Sequence, residues 1–417
     1  MHNKLSLNER FLCVLFVVSL VFSSRSLELL NIPLYYFLEI GALGVVFVFL
    51  FLIVCVNKEH YRSVGYDILF VAIIIVSMDV ICSLMSYINY GQGIIISLLT
   101  FRVAFITCAI IFLFAIIFRV KQITEHSEFF DYLVMLIFYL SLFITLLWVY
   151  LTYTLNAEEY YLTSGNLLVD TRSDGSYRFR FDIFFPFMLL CCGWLRLKTT
   201  NKKLINLGAM CFSIIYIVFY YQGRMFILAM VLAMGLSMIR PAVYRLRYVL
   251  ILVLAFITTA AFLIIYFTYD QLINLYQTLL NDFNLSDSSS LTRLKIFRMM
   301  GENFLNNFIM GNGYLSNQGD ASFSNVKFSP LDVGLLGVVY TYGFIIFIIG
   351  FVWFSHLWLK SFGKNNSQIF TFLFTTLFIN SIFTGGLFFR PYQILVMMVF
   401  VYLFGKTRFL SIYKERG

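Results

Sequence analysis

The sequence predicts an all-α polytopic integral membrane protein, and three features of its 417 residues lead to this fold class. Hydrophobic side chains make up 61% of the chain and charged ones only 12%, too few to cover a soluble domain of this size. Apolar runs of about 20 residues, the length that crosses the hydrocarbon core, recur from one end to the other. Strands of alternating character are not evident, so the spans are predicted to be helices.

The positions of the apolar runs predict about twelve membrane-spanning helices. The first run follows the basic start MHNKLSLNER and is interpreted as an uncleaved, signal-like helix, because more spans follow it. No internal repeat is evident, so residues 1–417 are interpreted as a single transmembrane domain. The predicted spans are 10–24, 33–56, 65–88, 94–118, 130–153, 181–195, 204–221, 224–239, 248–268, 331–355, 368–387 and 391–405.

Lysines and arginines orient these spans, because they gather in every second loop, beginning with Lys4 and Arg10. The positive-inside rule then places both termini in the cytoplasm. This topology accounts for the net charge of +9, so no nucleic-acid partner is predicted. All seven cysteines lie within apolar runs, and all four histidines lie at cytoplasmic ends or loops. We therefore expect no disulfide framework, no metal site and no cofactor.

Two loops on the predicted outer side are long, at about residues 154–180 and 269–330. Long loops in compact proteins are usually functional or disordered. Within the larger one, SSSLTRLKIFRMMGENFLNNF begins with serines suited to an N-cap. The run then places Leu294, Phe297, Phe304 and Phe308 at helical spacing, which predicts a helix along the outer membrane surface. Packing against the bundle and covering a lipid substrate are both open roles for this helix.

Arginines on the outer side stand where the positive-inside rule disfavours them, which suggests an anionic partner. A planar guanidinium suits phosphate oxygens, so Arg224, in the Gln-Gly-Arg step between two apolar runs, is predicted to lie beside a lipid diphosphate headgroup. The alternative is an interfacial arginine that only snorkels to the surface. The arginines left on the outer side are Arg25, Arg172, Arg178, Arg180, Arg224, Arg293, Arg298 and Arg390.

Asp79 and Arg102 are charged residues inside adjacent predicted spans. Measured from the turn at Gly91, the two lie at about the same depth, so an antiparallel hairpin would bring them together. Buried charges persist chiefly when they are paired. The sequence therefore predicts a structural ion pair between these two side chains.

Four segments give the chain a resemblance to a known family. In order they are YRFRF, YYQGR, SLTRLKIFRMMGENFLNNFIMGNGYLS and SPLDVGLLGVVYTYGF. Over residues 178–345 this order resembles the bacterial O-antigen polymerase (Wzy-type) and O-antigen ligase superfamily. The resemblance implies a GT-C-like fold with a large periplasmic loop, in the bacterial inner membrane. It also implies a metal-independent glycosyltransferase reaction, in which a growing glycan moves from undecaprenyl diphosphate to a hydroxyl of an incoming lipid-linked repeat unit.

The resemblance also assigns roles by position. Arg178 or Arg180 and Arg224 would bind the diphosphate, Arg293 would be the loop-helix arginine, and Gly311 and Gly313 would form the turn that closes the loop. Asp332 is our candidate for the base, or at least the oriented hydrogen-bond acceptor, that the acceptor hydroxyl needs. Ligases carry a histidine at this position, eleven residues before Gly343, so the aspartate favours a polymerase. The predicted catalytic residues are Asp332, Arg224 and Arg293, and the predicted substrate-binding residues are Arg178, Arg180, Arg298, Arg390 and Tyr314.

Partners implied by the resemblance are an undecaprenyl-diphosphate-linked glycan, membrane lipid, and flippase and chain-length regulator proteins. The product, O-antigen or capsule, stays open. A lipid-linked oligosaccharide flippase or other transporter is the main alternative, since the predicted number of helices suits that class equally well. A transporter keeps its binding residues near the middle of the membrane, whereas these charges gather at the outer face. A purely structural membrane protein would leave the outer arginines unexplained.

Overall fold

The computed structural model is helical through most of the residues that it describes, and several of its helices are those of a membrane protein. Three of them are long and apolar enough to cross a membrane, at Ile73–Tyr90, Phe130–Thr154 and Lys203–Tyr221. Shorter apolar helices cover Phe184–Leu197, Met225–Met238, Phe344–Leu359 and Gln368–Thr384. The structure describes residues 10, 13–14, 16–18, 20–21, 66–100, 127–159, 169–171, 177–179, 182–221, 224–239, 256–262, 264–265, 268, 271, 274, 296, 300–301, 304–313, 333–362, 368–384, 388, 390, 393–394 and 396–397.

The first helices follow the predicted spans closely. Helix α1 is Tyr66–Tyr90, α2 is Ile94–Thr100 and α3 is Ser127–Thr154. Gly91 ends α1 with a φ of +68°, a left-handed conformation that glycine adopts without a steric penalty. The predicted span 33–56 and most of the predicted spans 94–118 and 391–405 lie outside the described residues.

The smaller predicted outer loop contains a short β-hairpin that the sequence analysis did not predict. Strand β1 is Val169–Thr171 and β2 is Tyr177–Phe179, and the two pair antiparallel with Asp170 opposite Arg178. Helices α4, Phe184–Thr199, and α5, Lys203–Ile215, follow. A π-helical turn, Tyr216–Tyr221, extends α5, and α6 covers Arg224–Met238.

The predicted span 331–355 is wrong as one continuous helix. Helix α7, Leu335–Tyr342, ends at Gly343, and α8, Phe344–Lys360, begins directly after it. Gly343 has a φ of +84° and a ψ of 162°, which lie outside the helical region and are available chiefly to glycine. Helix α9, Gln368–Thr384, follows.

Aromatic side chains hold the bundle together around α9. Helix α9 packs against α4, α6, α7 and α8. Phe187 of α4 contacts Phe226 of α6 and Phe372 of α9, with ring centroids 5.2 and 5.8 Å apart. Trp358 of α8 stacks on Phe378 of α9 at 4.6 Å. Residues 369–378 of α9 are all buried, as expected for a helix that is apolar all round.

Candidate functional site

A group of tyrosines connects the interior to the surface where α3 ends and the π-helical turn begins. The hydroxyls of Tyr153 and Tyr220 are 2.7 Å apart and share a hydrogen bond. Tyr216 stacks on Tyr220 with ring centroids 5.6 Å apart, and Trp148 lies 6.3 Å from Tyr216 on the interior side. Tyr216 is 2% exposed and Tyr153 is 73% exposed. The group therefore presents phenol edges and hydroxyls at the surface on a fixed, buried base.

The π-helical turn determines where α6 begins. Such turns hold an extra residue per turn, and they are frequent at functional sites. This one ends at Tyr221, and α6 begins at Arg224, so the predicted diphosphate-binding arginine is the first residue of a 15-residue helix. The side chain of Arg224 lies outside the described part of the structure. Helix N-termini favour anions, because their first N–H groups have no partners within the helix.

Asp182 and Arg390 form an ion pair beside these tyrosines. The Arg390 Nη1 atom donates to Asp182 Oδ1 at 3.3 Å, and the same oxygen accepts the backbone N–H of Phe184 at 3.0 Å, at the start of α4. Asp182 also lies near enough to Tyr216 for the two groups to interact electrostatically. Arg390 was predicted to bind substrate, and the structure gives it a carboxylate partner within the protein. The two residues are 208 positions apart, so one sequence gave no signal for this pairing.

Strand β2 leads into the same region. It carries Arg178, four residues before Asp182, where the described chain resumes after Phe179. Phe179 of β2 is 8% exposed, which anchors the hairpin on the bundle. The side chain of Arg178, like all of Arg180, lies outside the described residues.

A second feature is the junction between the large predicted outer loop and the break at Gly343. The N–H of Phe344 donates to the carbonyl of Phe308 at 2.9 Å. The carbonyl of Tyr340 accepts the N–H of Asn312 at 2.7 Å, and that of Thr341 accepts the N–H of Gly313 at 3.0 Å. The loop thus satisfies the backbone groups that a continuous helix would pair internally, as burial in a membrane domain requires.

Glycines allow this close approach. Gly311 and Gly313 form the predicted turn and have φ values of +81° and +83°. A Cβ atom on Gly311 would collide with the backbone at Gly343, and one on Gly313 would collide with Ser86 of α1. The turn is therefore wedged between α1 and the break.

Amide and hydroxyl groups complete the junction. Asn89 of α1 donates to the carbonyl of Asn312 at 3.2 Å. Asn307 donates to the Oδ1 atoms of Asn312 at 2.8 Å and of Asn89 at 3.3 Å. The hydroxyls of Tyr90 and Tyr340 are 2.8 Å apart. These bonds connect the loop to both α1 and α7.

Apolar contacts decide which role the described part of the loop helix has. Phe308 stacks on Phe344 with centroids 4.9 Å apart, and Phe304 packs edge-on against Phe308. Phe304, Ile296 and Met300 have no exposed surface, and their spacing of four places them on one helical face. Packing against the bundle is therefore the role of these residues, although the sequence analysis did not single out Ile296 and Met300. Leu294 and Phe297 lie outside the described residues.

Asp79 is buried in the middle of α1, at 3% exposure. Its Oδ2 atom has no hydrogen-bond partner among the residues that the structure describes. Arg102, its predicted partner, lies outside them, so the ion pair stays a prediction.

The remaining predicted site residues cannot be placed within this geometry. Arg293, Arg298, Tyr314 and Asp332 all lie outside the described ranges. Within those ranges, no group of three histidine, cysteine or acidic side chains could hold a metal ion. Comparisons of the chain with protein-family models, with curated proteins and with solved structures find no match.

Proposed function

We propose that the protein is a polysaccharide polymerase of the bacterial inner membrane, with about twelve spans and both termini in the cytoplasm. It joins undecaprenyl-diphosphate-linked repeat units into an O-antigen or capsule at the periplasmic face. The observation that carries this proposal is the position of Arg224. It is the first residue of α6, directly after the π-helical turn whose Tyr220 reaches the surface beside Tyr153.

The proposed chemistry needs no metal. A diphosphate leaving group develops negative charge, and a guanidinium at a helix N-terminus stabilises that charge through a fixed positive field. Arg224 and Arg293 supply this stabilisation in our proposal, and Asp332 orients the acceptor hydroxyl. Arg178, Arg180, Arg298 and Tyr314 extend the substrate-binding surface, while the surface hydroxyls of Tyr153 and Tyr220 contact the sugars.

In this proposal Arg390 acts through Asp182. The ion pair and the bond from Asp182 to the N–H of Phe184 hold the start of α4 in place, next to Tyr216. Arg390 retains 33% exposure of its side chain, so part of it faces outward. Its contribution to binding is therefore secondary to its role in fixing the tyrosines.

A flippase or other transporter is the second candidate, and Asp79 is the observation that favours it. This carboxyl lies in the interior of α1, far from either end of the helix. Transporters commonly place binding residues at this depth. The two candidates predict different phenotypes when the gene is deleted in its host. A polymerase defect leaves single-repeat surface glycan, a flippase defect leaves none, and a ligase defect leaves unattached polymer.

Substitution of Arg224 tests the proposed site directly. We expect Arg224→Ala to abolish polymer on a glycan gel while the protein stays inserted and abundant. Arg224→Lys should also lose most polymer, because lysine snorkels as well as arginine but cannot bind phosphate in the bidentate manner. Arg25→Lys is the matched control and should support normal polymer. Normal chain lengths with Arg224→Lys would show that Arg224 is only an interfacial anchor.

A further inference from the structure

One face of α1 carries two buried polar groups that have no partner within the described part of the chain. Asp79 and Ser83 are 3% and 1% exposed, respectively. Neither Asp79 Oδ2 nor Ser83 Oγ has a hydrogen-bond partner within the described part of the chain. Residues four apart lie one turn above each other on the same helical face. The two side chains therefore lie one turn apart on the same face, in the interior of α1.

Asp79 differs from the other buried charged side chain among the described residues. Arg196 is the other charged side chain buried there, and it lies over the rings of Phe138 and Tyr139 and donates to Asn206. Ser86, one turn beyond Ser83 on α1, donates to the carbonyl of Cys82 at 2.8 Å. A buried carboxyl without a partner is costly in free energy, and native proteins rarely retain one without a ligand.

The neighbouring helices supply no compensating charge among the residues that are described. Helices α2, α7 and α8 pack against α1. Helix α2 has no titratable side chain, and on α7 the hydroxyl of Tyr340 bonds to Tyr90, about three turns from Asp79 along α1. The other titratable group on α7 is Tyr342. Those on α8 are His356, which is exposed, and Lys360, which is the last residue of the helix. A ligand carrying one positive charge would match the single carboxyl.

We propose that Asp79 and Ser83 bind a small monovalent cation, sodium or hydronium, inside the membrane domain. Both ions prefer oxygen ligands, and a carboxylate next to a hydroxyl offers only oxygen. Polar side chains continue from this site along α1 through Ser86 to Asn89, about 15 Å away at 1.5 Å per residue. The site does not depend on the proposed polymerase activity.

Cation binding links the interior of the membrane domain to the Gly343 junction, because the proposed site and the contact of Asn89 with the loop both lie on α1. A bound cation that neutralises Asp79 stabilises the packing of α1 against α7 and α8. The same helix holds Asn89 against the loop, so the occupancy of the site is communicated to the end of the loop at Asn312.

Thermal unfolding of the full-length protein in nanodiscs tests this site. Sodium chloride is titrated against N-methyl-D-glucamine chloride at constant ionic strength, at pH 8 and at pH 6, with tryptophan fluorescence as the readout. If sodium is the ligand, Tm rises saturably by several degrees with sodium at pH 8. If hydronium is the ligand, Tm rises from pH 8 to pH 6 regardless of sodium. Either rise should be absent from Asp79→Asn.

Two further variants distinguish loss of cation binding from loss of folding. Ser83→Ala removes one oxygen with little change in volume and should require at least tenfold more sodium, or a lower pH, for the same rise in Tm. Ser141→Ala is the matched control, because Ser141 on α3 is another buried hydroxyl without a partner among the described residues, and it should behave like the wild type. A wild-type Tm that depends on neither ion would overturn the proposal. So would a loss of abundance in Asp79→Asn that neutralising Arg102 restores, since Arg102 would then be the partner.

Discussion

The two halves of α1 differ in how their polar groups are satisfied. Toward its end, Ser86, Asn89 and Tyr90 each bond to the protein, and the partners of the last two come from the loop and from α7. In its interior, Asp79 and Ser83 retain oxygens without a partner among the described residues. The end of α1 therefore finds its polar partners within the described residues, whereas its interior is where we propose a bound cation.

The difference follows from what each half faces. The end of α1 faces a broken helix, whose unpaired backbone groups must be satisfied inside the protein. Within a regular helix, by contrast, the backbone groups are paired internally and offer no bonds to a neighbour. A polar residue beside the break gains partners from the protein, whereas Asp79 Oδ2 and Ser83 Oγ in the interior gain none among the described residues.

The largest expected effect is at the Gly343 break, which supplies the partners for the end of α1. Gly343→Ala places a side chain at a φ of +84° and against the backbone of Met310, so we expect a loss of several kcal/mol and little folded protein. Abundance in the membrane and Tm measure it. Gly235→Ala on α6 is the control, because no atom lies within 4 Å of the added carbon. Full abundance of Gly343→Ala would mean that the junction does not constrain α1.

An intermediate effect is expected at the amide cluster. Asn312 is 1% exposed and bonds through its side chain to Asn307 and to the carbonyl of Tyr340. Asn312→Ala leaves these groups unsatisfied, and we expect the free energy of unfolding to fall by about 1–3 kcal/mol. Denaturation of the purified protein measures the change. Asn306→Ala, at an exposed neighbouring position, should change it by less than about 0.5 kcal/mol.

The smallest effects sharpen the comparison within α1 itself. Tyr90→Phe loses the bond to Tyr340 and should cost about 1 kcal/mol. Ser83→Ala, measured without sodium at pH 8, should change stability by no more than about 0.5 kcal/mol, since no bond within the protein is lost. Equal losses in the two variants would indicate that Ser83 is already bonded within the protein, and the contrast between the halves would disappear.

Local features of the fold were predictable from the sequence because they depend on nearby residues. The bounds of α1 and α3 follow from apolar runs of membrane length, and the Gly311–Gly313 turn and the burial of Phe304 and Phe308 follow from residue type and spacing. The break at Gly343 was not predicted, because apolar residues on both sides give the same signal as a continuous span. It depends on the N–H groups of Asn312 and Gly313, which donate to α7, and on the carbonyl of Phe308, which accepts the N–H of Phe344.

The candidate site was predictable only in part, because some of its contacts join residues that are far apart in the chain. The sequence placed Arg224 at the start of an apolar helix, and the structure begins α6 there. The pairing of Asp182 with Arg390 and the tyrosine group join residues far apart in the chain, which a single sequence cannot relate. The Asp79–Arg102 pair was inferred from depth alone and stays a prediction.

The break at Gly343 also has a consequence for how the protein is made. Residues 335–360 are apolar through both helices, so the insertion machinery would receive them as one hydrophobic segment. Residues 304–313 and α1 precede this segment in the chain and have already been synthesised when it emerges. We therefore expect the break to form after insertion, when the turn at Gly311–Gly313 packs against it. We expect nascent chains truncated before residue 335 to expose Asn312 and its neighbours to the quality-control proteases of the membrane, and chains extended past residue 360 to be protected.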